Sequence, residues 1–257
     1  MANGALKHTL HWGPMQFPVY FHVFGLSLHP HAVMELLGYT LGFQFYLLLR
    51  RQQIQPTLPV EKNLWIIVGA VFGALAGSKL LAWAESPLEY ATVFGTPAML
   101  GGKTIVGGLL GGWAGVEIAK KRLGVTQSTG DLFVFPLALG ICIGRIGCFL
   151  TGLDDHTYGT FTSVPWAVNF GDGPRHPTQL YEIAFVALLA IILATRCKLA
   201  YTNGRTFRLF LGGYLLFRFG VEFLKPSYKP YLGLSMIQIA SLLGAIVAFR
   251  PRRRAVG

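Results

Sequence analysis

The sequence predicts an all-α integral membrane protein with seven transmembrane helices, and three observations carry that prediction. Of its 257 residues, 53% are hydrophobic and only 13% charged, far from the balance of a soluble domain. Apolar runs of about 17 to 25 residues, long enough to cross a bilayer as a helix, recur along the chain. Basic residues collect in alternate gaps between those runs. An open sheet would leave backbone groups unpaired in lipid, so helices are the expected element.

The first span covers residues 32–49 and stops at Arg50-Arg51. The second, 63–84, carries Gly69, Gly73 and Gly77; the third, 104–119, carries Gly107, Gly111 and Gly115 and ends at Lys120-Lys121-Arg122. Small residues four apart make a smooth face on a helix, so these two spans are expected to pack closely against each other. A fourth span, 132–150, leads into a polar, Gly-rich stretch, 151–177, that reads as an extramembrane head. Spans five to seven follow at 178–195, 207–224 and 234–249.

Orientation follows from the basic residues, which cytoplasmic loops retain. Arg50-Arg51, Lys120-Lys121-Arg122, Arg196, Lys198, Arg205, Arg208 and Arg250 to Arg254 fall on one side, against Lys7, Lys103, Arg175, Lys225 and Lys229 on the other. The N-terminus and head are therefore expected outside and the C-terminus in the cytoplasm. This placement accounts for the net charge of +11, which in a soluble chain would suggest nucleic acid; no nucleic-acid partner is expected. Residues 1–30 lack a cleavable-signal pattern and read as an interfacial arm, with Trp12, Phe17, Tyr20, Phe21 and Phe24 suited to the headgroup layer, while residues 31–257 form the membrane domain. Cys142, Cys148 and Cys197 are too few for a disulfide framework or a thiolate metal site.

With this topology, unusual residues fall at one outer depth. His29, His31 and Glu35 begin the first span, Arg145 and Cys148 end the fourth, and Tyr214, Arg218 and Glu222 share one face of the sixth. Lys79 lies near the outer end of the second span. Ionisable residues inside a membrane mark function by default. Two arginines favour an anionic ligand, because a guanidinium fork binds phosphate oxygens in pairs and stays charged when desolvated. A phospholipid headgroup is the natural candidate. The plainer alternative is that Arg218 pairs with Glu222 one turn on and Arg145 snorkels to the interface.

Gly144-Arg145-Ile146-Gly147-x-Phe149, Pro165-Trp166-Ala167-Val168, Arg175-His176-Pro177-Thr178-Gln179-Leu180-Tyr181-Glu182, Tyr214-x3-Arg218-x3-Glu222 and Leu234-Ser235-Met236-x-Gln238 together resemble the bacterial prolipoprotein diacylglyceryl transferases. The resemblance implies an inner-membrane enzyme, its active site facing the periplasm, that moves the diacylglyceryl group of phosphatidylglycerol to the lipobox cysteine of a prolipoprotein and releases glycerol phosphate. It implies no cofactor. Arg145 and Arg218 would hold the phosphate, Glu222 would orient Arg218, and Tyr214, Gly107, Gly108, Cys148, Asp155, His156, Arg175 and Gln179 would line the substrate site.

The chain departs from that pattern on the acceptor side. Val106 stands before Gly107-Gly108 where the family has its histidine, Cys148 where it has an asparagine, Pro30-His31 where it has a Trp-Tyr-Gly run, and Leu153 near where it has an acidic residue. Valine transfers no proton. His31, Glu35 and His156 are the candidate bases. His29, His31, Glu35, Asp155 and His156 could together ligate a zinc-like ion, but their spacing matches no established metal motif, and an ordinary polar rim is the simpler reading. Beside Arg145, Cys148 is either an activated thiolate or, more commonly, an inert buried thiol. Two further readings stay open: a diverged phospholipid-modifying transferase or hydrolase with another acceptor, and a non-catalytic lipid-binding membrane protein.

Overall fold

The computed structural model describes residues 16–52, 58–196 and 204–250. His8, His11, Trp12, Cys197, Lys198 and Arg252 to Arg254 lie outside the described residues. Eight helices are described: α1 (Pro30–Arg51), α2 (Val60–Glu85), the short α3 (Pro87–Thr92), α4 (Ile105–Arg122), α5 (Val134–Thr151), α6 (Thr178–Arg196), α7 (Arg205–Val221) and α8 (Met236–Phe249). By length and composition four segments can cross a membrane, Pro30–Arg51, Val60–Glu85, Asp131–Asp155 and Thr178–Arg196. Glu117 and Lys120 interrupt α4, Arg208 and Arg218 interrupt α7, and α8 is a shorter apolar helix.

The helix ends follow local chemistry. Pro30 and Pro87 occupy first-turn positions, where a missing N–H is no loss. Thr104 caps α4 by accepting from the Gly107 N–H, and Ser235 forms a reciprocal capping box with Gln238 at the start of α8. Gly204 and Phe207 at the start of α7 donate their N–H groups to the buried carboxylate of Asp131 at 2.9 and 2.8 Å. A residue remote in sequence thus supplies the cap, which also ties α7 to the foot of α5.

The two glycine rows meet as their spacing predicts. A Cβ on Gly69 would lie 2.8 Å from the Gly115 carbonyl oxygen, one on Gly73 2.3 Å from that of Gly111, and one on Gly77 2.4 Å from that of Gly107. In lipid, where hydrophobicity gives helices no reason to associate, such close backbone approach maximises dispersion and dipole contact. Elsewhere α1 packs on α5 and α7 on α8. Val134, Ala138, Ile141, Val186, Leu193, Phe210 and Tyr214 build an apolar core between α5, α6 and α7. Phe43, Phe72 and Ile191 point outward, as expected of a surface facing acyl chains.

Two features were not foreseen. The segment before α1 forms an antiparallel hairpin, β1 (Phe21–Val23) with β2 (Leu26–Leu28), turning through Phe24 and Gly25 at φ of 48° and 79°. Phe24 is fully exposed at its tip. The head contains a small pair, β3 (Val168–Asn169) and β4 (Pro174–Arg175), and is tied down by the Trp166 indole N–H, which donates to Tyr181 Oη at 2.8 Å.

Candidate active site

An α-helix places residues four apart on one face, and α7 uses this to aim Tyr214 and Arg218 together at α6, with Glu222 one turn further on. Between them stands Glu182, in the second turn of α6 and 1% exposed. Its Oε1 accepts from the Tyr214 hydroxyl at 2.6 Å and lies 2.9 Å from Arg145 Nε, an ion pair without hydrogen-bond alignment. Its Oε2 accepts from Arg218 Nη1 at 2.9 Å. Arg218 Nη2 donates to Glu222 Oε2 at 3.1 Å, and Lys225 Nζ lies 3.7 Å from that same oxygen. One carboxylate therefore holds both arginines at a fixed separation.

Three cations, Arg145, Arg218 and Lys225, contact two carboxylates, Glu182 and Glu222, so within this ion-paired group positive charge exceeds negative by one, with Glu85 the next carboxylate along the cavity, near Glu222. Burial, then the neighbouring Arg218 charge, pushes the Lys225 amine down to about 8. Arg145 Nε, Arg218 Nε and both amide atoms of Gln179 are buried without a hydrogen-bond partner among the described residues. A buried polar atom left in that state costs about 1–3 kcal/mol, more when charged; of these only the two arginines line the cavity, and their guanidiniums favour an anionic oxygen ligand.

Arg145, Arg218, Glu222 and Lys225 line an open cavity of ≈ 2020 Å³, well beyond the size of an ordinary small-molecule pocket, which is about 300–1,000 Å³. His29, His31, Glu35, Lys79, Gly108, Cys148, Asp155 and His156 line it too. On its rim His31 Nδ1 lies 2.9 Å from Asp155 Oδ1 and 3.9 Å from Cys148 Sγ, and Arg145 Nη1 lies 3.6 Å from that sulfur. Glu35 accepts from Lys103 Nζ at 2.7 Å and from the Tyr39 hydroxyl at 2.8 Å, and its Oε2 is 3.6 Å from His31 Nε2. Lys79 donates to the Gly102 carbonyl at 2.7 Å.

Four residues expected at the substrate site sit elsewhere. Gly107 belongs to the glycine contact with α2, while its neighbour Gly108 faces the cavity. Tyr214, fully buried, holds Glu182 behind the cavity wall, and Gln179 is buried beside that wall rather than along it. Arg175 is engaged within the head: its guanidinium lies 3.7 Å from the Phe161 ring centre, pairs with Asp172 at 2.6 Å, and donates to the Gly159 carbonyl at 3.1 Å. That guanidinium holds the Asp172 carboxyl below its usual range. Val106 is fully buried in an apolar cluster with Leu211, Leu215 and Ala245.

Sequence reasoning did not give a role to Glu182 or Lys225. A carboxylate in the second turn of an otherwise apolar helix was the available signal for Glu182. Lys225 gave none, because three residues after Glu222 it reads as an ordinary interfacial lysine.

Residues 18–250 match the family model described as prolipoprotein diacylglyceryl transferase. Among named relatives, the phosphatidylglycerol–prolipoprotein diacylglyceryl transferase of Geobacter sulfurreducens is 31% identical over 271 residues, covering 95% of this chain and 100% of its own. The protein of the same name from Idiomarina loihiensis is 31% identical over 92% of this chain and 94% of its own, and that from Pasteurella multocida 33% identical over 91% and 92%. The motifs of the sequence, the buried clamp that they build and these matches agree: the chain belongs to the prolipoprotein diacylglyceryl transferase family.

Proposed function

We propose that this protein transfers the diacylglyceryl group of phosphatidylglycerol to the lipobox cysteine of a prolipoprotein in the bacterial inner membrane. The observation that carries the reading is the clamp: two arginines fixed by one buried glutamate, with a single surplus positive charge that one phosphodiester neutralises. Phosphatidylglycerol enters the cavity with its phosphate between Arg145 and Arg218. As the glyceryl carbon–oxygen bond breaks, charge accumulates on the departing glycerol phosphate. Guanidiniums aimed in advance stabilise that charge without reorganising, a contribution worth about 2.7–4 kcal/mol for one oxyanion donor elsewhere. Glu182 and Glu222 keep both forks aimed, and Tyr214 fixes Glu182.

Seven spans with the N-terminus and head in the periplasm are part of this proposal, as is an interfacial arm over residues 1–30. The alternation of basic loops supports that orientation, and it opens the clamp toward the side where prolipoproteins are modified. The exposed aromatic tip of the β1–β2 hairpin suits a headgroup layer. The acceptor thiol approaches from the His31, Cys148 and Asp155 side of the cavity.

Incubation with labelled phosphatidylglycerol, a lipobox peptide and a membrane extract, followed by mass analysis of every lipidated species, tests the reading. Labelled peptide and free glycerol phosphate are expected from the wild type and neither from Arg218→Ala. Wild-type rates in that variant would overturn the clamp, and label confined to another membrane species would assign a different acceptor.

A further inference from the structure

We propose that His31, Cys148 and Asp155 form a binding site for a zinc-class divalent cation, whose open position takes the acceptor thiol and activates it as a thiolate. The proposal rests on the transfer reading above for its chemistry but not for its existence as a site. It answers a question that the fold raises: Val106 is buried in apolar packing, and the thiol must lose its proton elsewhere.

The three donor atoms come from separate segments, the first turn of α1, the last turn of α5 and the tight turn that follows, yet all lie within 4.8 Å of one another. A tetrahedral ion with zinc–sulfur and zinc–nitrogen bonds of about 2.3 and 2.1 Å holds its ligand atoms about 3.3–3.6 Å apart. The observed 2.9 Å from His31 Nδ1 to Asp155 Oδ1 and 3.9 Å from His31 Nδ1 to Cys148 Sγ bracket that spacing. One thiolate and one carboxylate balance a dication, and one nitrogen, one sulfur and one oxygen with a fourth position facing the cavity is the composition of a catalytic rather than a structural zinc site.

The surroundings fit a metal better than a histidine base. Ligating histidines characteristically give their second ring nitrogen to a carboxylate, and His31 Nε2 faces Glu35 at 3.6 Å. Ligating carboxylates are themselves hydrogen-bonded, and Asp155 Oδ2 accepts from the Thr157 hydroxyl at 2.5 Å, leaving Oδ1 turned to His31. A histidine acting as base needs one ring nitrogen free to face the incoming thiol; here both nitrogens face carboxylates. Arg145 links the two halves of the cavity, with Nε on Glu182 and Nη1 3.6 Å from Cys148 Sγ, so a thiol bound here lies next to the phosphate clamp.

Coordination lowers the pKa of a thiol until it is deprotonated, and its proton leaves through the open cavity to water. The thiolate attacks the glyceryl carbon that carries the phosphate ester. A carbon–sulfur bond forms, the carbon–oxygen bond breaks, and its electron pair departs on glycerol phosphate, held by Arg145 and Arg218. No electron carrier is needed. The thioether product, neutral and a weaker donor, dissociates.

The test is metal analysis of the full chain purified in detergent and reconstituted with zinc, then with cobalt as a spectroscopic substitute. One equivalent of zinc is expected per chain, falling at least tenfold in His31→Ala and Cys148→Ala. The cobalt protein is expected to show a thiolate-to-cobalt charge-transfer band that disappears in Cys148→Ala and intensifies when lipobox peptide is added. Should either variant misfold, the wild-type cobalt spectrum with and without peptide decides. Chelator-stripped protein that still lipidates peptide at the full rate, or a cobalt spectrum without a thiolate band, would overturn the proposal. Zinc binding without glycerol phosphate release would leave the site standing and overturn the transfer reading instead.

Discussion

Replacing Glu182 with glutamine is the sharpest perturbation of this site, because it keeps the shape of the side chain while removing its charge and one of its acceptor oxygens. In the wild type that charge lies 2.9 Å from each of Arg145 and Arg218. In Glu182→Gln three cations face Glu222 alone, and one glutamine oxygen replaces two carboxylate acceptors. Removing one partner of a buried ion pair costs about 3–5 kcal/mol, since the partner charge stays buried. That exceeds the cost of a typical substitution, about 1 kcal/mol. A bound phosphate supplies part of the missing negative charge, so phosphatidylglycerol is expected to raise the melting temperature of Glu182→Gln more than that of the wild type. Turnover is expected to fall by about 10²–10³, because both guanidiniums lose their aim. The assays are thermal unfolding in detergent with and without phosphatidylglycerol, and initial rates of glycerol phosphate release. An unchanged melting temperature together with wild-type turnover would refute the assignment of Glu182 as the hub.

Lys225, held at about 8, is charged below that pH and neutral above it, so the surplus positive charge disappears as pH rises through about 8. Phosphatidylglycerol affinity is therefore expected to fall there, by roughly ten- to a hundredfold for the loss of one charged contact worth about 1.5–3 kcal/mol, and Lys225→Met should flatten the profile; equilibrium binding between pH 6 and 10 checks both. In the glycine contact, Gly73→Val places a side chain whose Cβ would lie 2.3 Å from the Gly111 carbonyl oxygen, and because backbone cannot yield, the loss should exceed the usual overpacking range of about 1–3 kcal/mol. Gly220→Ala, with nothing within 4 Å of its added Cβ, should be neutral or stabilising, and detergent melting curves of the two variants make the comparison.

The membrane class, the glycine contact and the arginine pair were legible in the amino-acid order, for a physical reason common to all three. Apolar length, residues four apart and an arginine in a hydrocarbon run are local statements, and lipid leaves few ways to satisfy them. The family could be read for the same cause, since its motifs are short and contiguous around Arg145, Glu182 and Arg218. Partners far apart in the chain emerged only from the packing of the helices. Glu182 became the hub because α6 packs against both α5 and α7 and so brings it against Arg145 and Arg218; Arg175, next to the same motif, was drawn instead into the packing of the head. Asp131 became the cap of α7 across more than 70 residues. In the sequence His31 and Asp155 are candidate ligands beside His29, Glu35 and His156, whereas Cys148 is excluded with the other cysteines, because a separation of 117 residues between His31 and Cys148 follows no local geometry. Side chains from two helices and a turn converge only once α1 packs on α5, and that packing, rather than any motif, creates the site for an ion.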